Sequence, residues 1–161
     1  MGATTGIAWT DSTWTPIRAR SKHFDFGANS PPGGRVRVGW HCEPVSEACR
    51  NCYAEDLNMR LGTGLAYKPG NRADVDIVLD EKMLTAPLRW RKGRRIFVCS
   101  MTDLFGRFVP DEFIDKMFAV MALTPRHTYQ ILTKRPERMP AYFLGAAARW
   151  KIGRASCRER V

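Results

Sequence analysis

The stretch "RRIFVCSMTDLFGRFVPDEFIDKMFAVMALTPRHTYQILTKRP", residues 94–136, holds two apolar runs separated by one amphipathic segment. The runs predict a strand from Arg95 to Ser100 and a second strand that ends at Leu132 or Thr133. The segment between them begins with Pro110 and two acidic residues, which suit a helix N-terminus. Its apolar residues recur at helical spacing: Phe113, Ile114, Met117, Phe118 and Met121. A strand, a helix and a strand in this order are typical of a parallel β-α-β unit.

The same alternation of strands and helices extends towards the N-terminus. We predict a short strand at 13–18, a turn-forming insert at 27–34, a hairpin arm at 35–40, a helix that begins at Cys52, a buried strand at 75–79, a helical stretch at 81–90 that Pro87 interrupts or ends, and a further helix after residue 139. Buried strands that alternate with helices favour an α/β fold with a parallel sheet, or a partial (β/α) barrel of TIM type truncated at the C-terminus. In such folds the functional groups gather where strands end and loops begin.

The composition limits the class of protein. With 161 residues, 44% of them hydrophobic, the chain can bury one core and is not a disordered tail. It has no apolar run of about 18 residues and no signal-peptide pattern, so we expect a cytoplasmic protein without membrane contact. Five cysteines in such a chain favour metal or redox chemistry over a disulfide framework. The net charge of +10 favours nucleic acid or another anionic partner.

The last eleven residues, "KIGRASCRERV" at 151–161, have no apolar periodicity and resemble the translation of a sequencing adaptor. We therefore expect this tail to be non-native and residues 1–150 to be the N-terminal part of a larger domain. Without its four basic residues and one acidic residue the net charge falls from +10 to +7, and four cysteines are left.

Three cysteines, Cys42, Cys49 and Cys52, lie within eleven residues in "HCEPVSEACRNCYAE". A structural zinc ion needs four ligands, and the candidates for the fourth have no familiar spacing: His41, His23 and Cys99. An iron–sulfur cluster bound by three thiolates instead keeps one iron open for a substrate or cofactor. Spacing alone does not separate the cluster from zinc.

Polar residues follow the two central strands. Ser100, Thr102 and Asp103 could hold a cofactor at a strand end, or could cap the next turn. Residues 133–135, Thr-Lys-Arg, could bind a carboxylate or phosphate, or could form a solvated loop. Cys99 ends an apolar strand, so we predict a packed thiol that is not a metal ligand.

Six motifs in this order closely resemble the phage-associated gene-product thirty-seven/sixty-eight family, a domain of unknown function with a three-cysteine motif. They are "IAWTDSTWTP", "C…SEACRNCYAE", "PLRW", "IFVCSMTDLF", "VPDEF" and "QILTKRPERM", and they run from Ile7 to about Pro140. The family often carries Asn where this chain has Cys99. It looks like a divergent radical S-adenosylmethionine (SAM) enzyme, distantly similar to spore photoproduct lyase and built on a partial (β/α) barrel.

The resemblance implies that Cys42, Cys49 and Cys52 bind a [4Fe–4S] cluster whose open iron holds SAM. Reductive cleavage of SAM would then give a 5′-deoxyadenosyl radical that abstracts hydrogen from the substrate. The polar strand ends would contact SAM or substrate: Ser100, Asp103, Thr133 and Lys134. Such an enzyme needs an external electron donor, and a neighbouring protein is a further expected partner. The rival hypothesis is a zinc-stabilised nucleic-acid-binding module without catalysis.

Overall fold

The computed structural model describes residues 6–25 and 35–146. The strands are β1 (Ser12–Trp14), β2 (Ile17–Asp25), β3 (Arg35–Gly39), β4 (Val75–Leu79), β5 (Arg95–Val98) and β6 (Thr128–Ile131). The helices are α1 (Tyr53–Leu61), α2 (Glu81–Leu84), α3 (Ala86–Arg89), α4 (Asp111–Leu123) and α5 (138–146), with short 3₁₀ turns at Glu47–Cys49 and Pro69–Asp74. The predicted insert at 27–34 and the predicted non-native tail at 151–161 lie outside the described residues.

A parallel sheet forms the centre of the fold, with the strand order β1-β5-β6. Trp14 pairs with Val98, and Val98 pairs with Ile131. Between β5 and β6 the chain passes through α4, so the predicted β-α-β unit is confirmed. The inner face of α4 is buried and packs on the same core as these strands. The largest fully buried side chains of this core include Trp14, Ile96, Val98, Leu104, Phe105, Ile114 and Met117.

A second, antiparallel sheet has the order β3-β2-β4. The predicted hairpin arm is confirmed as β3, which pairs with β2. The prediction that residues 75–79 form a buried strand of the parallel sheet is wrong: β4 pairs antiparallel with β2, and only Val75 of its five residues is buried. An apolar run does not reveal its partner strand, because parallel and antiparallel strands draw on the same residues.

The strand predicted at 13–18 is two strands that belong to different sheets. Pro16 separates β1 from β2, since proline has no N–H to donate to a continuous ladder. Its carbonyl accepts a hydrogen bond from Asp80 N at 2.8 Å, just after β4. The chain therefore changes sheet at this proline.

One predicted helix boundary is confirmed and another is wrong. The helix predicted at the last cysteine is α1, with Cys52 as its N-cap residue and Gly62 after its end. Pro87 neither interrupts nor ends the helical stretch at 81–90. The break lies at Thr85, and Pro87 occupies the first turn of α3, where a missing N–H is tolerated.

The fold is therefore mixed α/β with two small sheets, and the described residues form no closed barrel. None of the helices in this part of the chain is long and apolar enough to span a membrane.

Candidate functional site

A cavity of about 250 Å³ opens at the carboxyl ends of β5 and β6. One wall comes from the segment after β5, a second from the segment after β6, and a third from the cysteine loop, residues 41–52, which joins β3 to α1. All seven residues predicted as site residues line it: Cys42, Cys49, Cys52, Ser100, Asp103, Thr133 and Lys134. The topology therefore brings together residues that lie far apart in the sequence.

The thiols of the cysteine loop are free, since no disulfide joins the cysteines of the described residues. Cys42 and Cys52 pack against a small apolar cluster beneath the cavity, which is centred on Ala54, Tyr67 and Met101. Cys49 ends the 3₁₀ turn on the outer part of the loop. Two thiols thus face an apolar layer and the third lies nearer to solvent.

The entry to the cysteine loop is tied by Asn58, a fully buried residue of α1. Its Oδ1 accepts hydrogen bonds from Trp40 N at 2.9 Å and Thr63 N at 3.1 Å. Its Nδ2 donates to Thr63 Oγ1 at 2.7 Å and to the Leu65 carbonyl at 2.8 Å. These contacts, which we call the Asn58 network, fix the entry to the loop from β3 against the far end of α1.

The two strand-end segments are joined by Asp103, which is also buried. Its Oδ1 accepts from Phe105 N at 2.9 Å and Thr133 Oγ1 at 2.8 Å. Its Oδ2 accepts from Lys134 N at 3.0 Å and from Arg135 Nη1 at 3.3 Å. A carboxylate has about four acceptor positions, and all of them are used within this Asp103 network. The geometry favours an organising role for Asp103 over direct contact with a bound molecule.

Two cations of the Asp103 network reach across to the cysteine loop. Arg135, whose side chain is 4% exposed, donates to the Glu43 carbonyl at 2.7 Å. Lys134 donates from Nζ to the Ala48 carbonyl at 3.0 Å and lies 3.5 Å from Cys49 Sγ. The loop after β6 therefore holds the cysteine loop at two points.

The surroundings of the thiols differ. Burial raises the pKa of the Cys42 thiol to about 11, although the nearby Arg135 guanidinium acts in the opposite direction. Burial also opposes ionisation of Cys49, but hydrogen bonds from the backbone N–H groups of Val45 and Ser46 and from Lys134 outweigh it and lower the pKa of that thiol. The Cys49 thiol therefore ionises more readily than the Cys42 thiol.

Cys99 lies at the back of the cavity with a φ of 54°, the left-handed backbone region. Its N–H donates to the Trp14 carbonyl at 2.9 Å and its thiol is buried, which raises the pKa of that thiol well above its ordinary value. A left-handed φ is uncommon for a residue other than glycine, and Asn is several-fold enriched there. That Cys99 is not a metal ligand stays a prediction.

Thr133 and Ser100 differ in how far their hydroxyl groups are engaged in hydrogen bonds within the protein. The Thr133 hydroxyl is engaged with Asp103 and with Arg135 N, whereas Ser100 is partly exposed, with its hydroxyl 3.5 Å from that of Thr15. Ser100 therefore keeps a hydroxyl with only one long contact, and it can offer this hydroxyl to a ligand in the cavity.

Sequence reasoning missed two tyrosines and Asn58. Tyr53 and Tyr67 each donate a 2.7 Å hydrogen bond to the segment after β5, to the carbonyls of Ser100 and Met101. No local pattern predicts these contacts. Asn58 did leave a signal, because it lies four residues after Ala54 on the buried face of α1, where a polar residue needs partners.

The chemistry of the donor set fits an iron–sulfur cluster, since such clusters are held by cysteine thiolates. Within the ranges the structure describes, no three His, Cys, Asp or Glu side chains are arranged to hold one metal ion. A single zinc ion needs its thiolates at ~2.3 Å from a common point, whereas in a cluster each thiolate binds a different iron and the sulfurs stand further apart. Cys42, Cys49 and Cys52 line one cavity, and the Cys49 thiol has backbone N–H groups and the Lys134 ammonium group as neighbours.

The fold and site define a mixed α/β protein with a cysteine-lined cavity at the carboxyl ends of a parallel sheet. The chain belongs to a family described as a protein of unknown function, DUF5131, whose model matches residues 38–156. The matched region includes the whole cysteine loop and both strand-end segments. The chain has no match among curated proteins or solved structures. Membership of a family of unknown function is thereby confirmed, while the phage association and the likeness to radical SAM enzymes and spore photoproduct lyase stay predictions.

Proposed function

We propose that the chain carries the cluster-binding part of a radical SAM-type enzyme, in which Cys42, Cys49 and Cys52 hold a [4Fe–4S] cluster. The observation that supports this most is the shared cavity. Three free thiols face the same space as the polar ends of two parallel strands, where α/β proteins bind cofactors. The partial barrel belongs to the same proposal, with the β1-β5-β6 sheet as the beginning of its wall.

When bound, the cluster supplies the electron that cleaves SAM into methionine and a radical able to abstract hydrogen from a substrate. The chain's own residues prepare the site. Tyr53 and Tyr67 hold the segment after β5 in place, and the Asp103 network fixes the segment after β6. Ser100 offers a hydroxyl to the bound cofactor, while Phe97 and Leu132 contribute apolar lining to the cavity.

The test is anaerobic reconstitution of the full chain with iron and sulfide, followed by metal analysis and visible absorption. We expect iron and sulfide in equal amounts and, after reduction, an electron paramagnetic resonance signal that changes when SAM is added. Replacement of Cys42, Cys49 or Cys52 by Ser should abolish the signal. Cys99→Ser is the matched control, because the Cys99 residue also borders the cavity but is only 3% exposed, and we predict unchanged iron content.

Two results would contradict the proposal. One is stoichiometric zinc without iron, which would favour the zinc-stabilised nucleic-acid-binding module. The other is a reduced cluster whose signal is indifferent to SAM. Loss of metal from Cys99→Ser with the fold retained would instead favour a four-cysteine zinc site.

A further inference from the structure

Lys134 has a geometry that the cofactor-binding role predicted from the sequence does not explain. Its ammonium group contacts the cysteine loop, 3.0 Å from the Ala48 carbonyl oxygen and 3.5 Å from Cys49 Sγ. An N–H donor at this distance from a sulfur is a hydrogen bond to the thiol or thiolate. The Lys134 side chain therefore contacts Cys49, a candidate cluster ligand.

The Asp103 network fixes the backbone position of Lys134. Its own backbone N donates to Asp103 Oδ2 at 3.0 Å, and the next residue, Arg135, is buried against the same carboxylate. Asp103 thus holds the chain at residues 134 and 135, while the Lys134 side chain is exposed. A substitution at Lys134 can remove the ammonium group without disturbing the buried ion pair.

We propose that Lys134 is a positioning residue for Cys49, whose hydrogen bond to the sulfur orients this cluster ligand and stabilises the reduced cluster. The inference rests on the proposed function. A cluster gains negative charge when it accepts an electron, and hydrogen bonds to the ligand sulfurs are among the features that set its reduction potential. A cation that donates to one of the three sulfurs therefore makes reduction easier.

The experiment compares the full chain with three variants after the same reconstitution. Lys134→Met removes the donor and the charge, and Lys134→Arg keeps both. Arg50→Met is the matched control, because Arg50 is an exposed cation in the same loop that pairs with Glu47 at 2.7 Å. For each protein we would measure iron content and then the reduction potential by titration monitored with electron paramagnetic resonance.

We expect a more negative potential in Lys134→Met, a potential near that of the unmodified chain in Lys134→Arg, and no shift in Arg50→Met. Lower iron content in Lys134→Met that Lys134→Arg restores would also support the positioning role. Equal shifts in Lys134→Met and Arg50→Met, or none in either, would overturn the inference and leave the proposed function standing. If the unmodified chain takes up no cluster, both fail.

Discussion

Two buried side chains organise the site, and they differ in charge. Asn58 and Asp103 each make four hydrogen bonds, and each joins segments that are distant in the sequence. The amide of Asn58 donates and accepts, so its network closes without any ion. The carboxylate of Asp103 only accepts, so its network includes the buried cation Arg135.

The difference shows how the site divides its tasks. The Asn58 network fixes the entry to the cysteine loop from β3 against the segment that follows α1. The Asp103 network joins the parallel strands and, through Lys134 and Arg135, reaches the middle of the same loop. Loss of a hydrogen bond from the neutral network leaves no charge behind. Loss of one partner of a buried ion pair leaves the charge of the other partner poorly compensated.

The largest effect is expected for Asp103→Ala. This variant leaves the buried Arg135 with only the more distant Glu43 carboxylate, 3.9 Å away, and removal of one partner of a buried pair costs about 3–5 kcal/mol. Chemical denaturation of the full chain measures the loss of unfolding free energy. The double variant Asp103→Ala/Arg135→Met should recover part of that loss, because the remaining charge is gone. A loss of unfolding free energy below about 1 kcal/mol for the single variant would show that the Asp103 network contributes little to stability.

Asn58→Asp tests the neutral network. The new carboxylate would place an acceptor against the Leu65 carbonyl, and we expect a loss of about 3 kcal/mol at neutral pH, the upper end for an unsatisfied buried group. Burial without a cation raises the pKa of the introduced carboxyl, so the folded state binds its proton more tightly than the unfolded state does.

The stability of Asn58→Asp should therefore fall as the pH rises above the ordinary carboxyl range, and it should recover as the pH falls. Denaturation curves at several pH values would measure this, with Asn51→Asp as the exposed control. Equal pH dependence in the two variants would contradict the assignment.

A smaller effect is expected where the antiparallel sheet meets α1. A methyl group on Gly39 would collide with the backbone of Gly62 and Thr63 and with the Asn58 side chain, so Gly39→Ala should cost about 2 kcal/mol through overpacking. Gly70→Ala is the matched control, because nothing lies within 4 Å of the added atom. Denaturation midpoints that do not differ between the two variants would show that the structure around Gly39 adjusts to the added methyl group.

The sequence predicts the β5-α4-β6 unit well because its signals are local. Apolar spacing, Pro110 and the acids after it all lie within one segment. The partner of β4 was not predictable in the same way, since pairing with β2 depends on the break at Pro16 rather than on the pattern of residues 75–79. A proline inside a strand-like run was the signal that could have indicated the change of sheet.

For the site, the convergence of the segments after β5 and β6 follows from the rule that strand ends share one edge of a parallel sheet. The cysteine loop follows β3 of the antiparallel sheet, so its place at the same cavity does not follow from that rule. The roles of the individual side chains do not follow from it. That Asp103 binds protein donors, and that Lys134 turns towards Cys49, depends on contacts between distant segments. Local residue patterns carry no information about such contacts.

The smallest effect concerns the same chemical pair placed at the surface. Asp11 accepts from the side chain of Arg95 at 2.8 Å and from its backbone N at 2.8 Å, near the start of β5. The side-chain hydrogen bond, followed by the backbone one, lowers the pKa of the Asp11 carboxyl. Both partners are exposed and screened by solvent, so Asp11→Asn should barely change the denaturation midpoint, in contrast to Asp103→Ala.

Because the pKa of Asp11 is lower in the folded state, its small contribution to stability is present above the ordinary carboxyl range and is lost as the pH falls through the folded pKa. Titration of the Asp11 carboxyl by nuclear magnetic resonance should give a midpoint below the ordinary value, and Arg95→Met should move it part of the way back, because the backbone N–H of residue 95 still donates. High salt should have the same effect in part, since it screens an exposed pair but not a buried one. A midpoint that ignores both Arg95→Met and salt would show that the pair does not form in solution, and the contrast with the Asp103 network would then need another exposed reference.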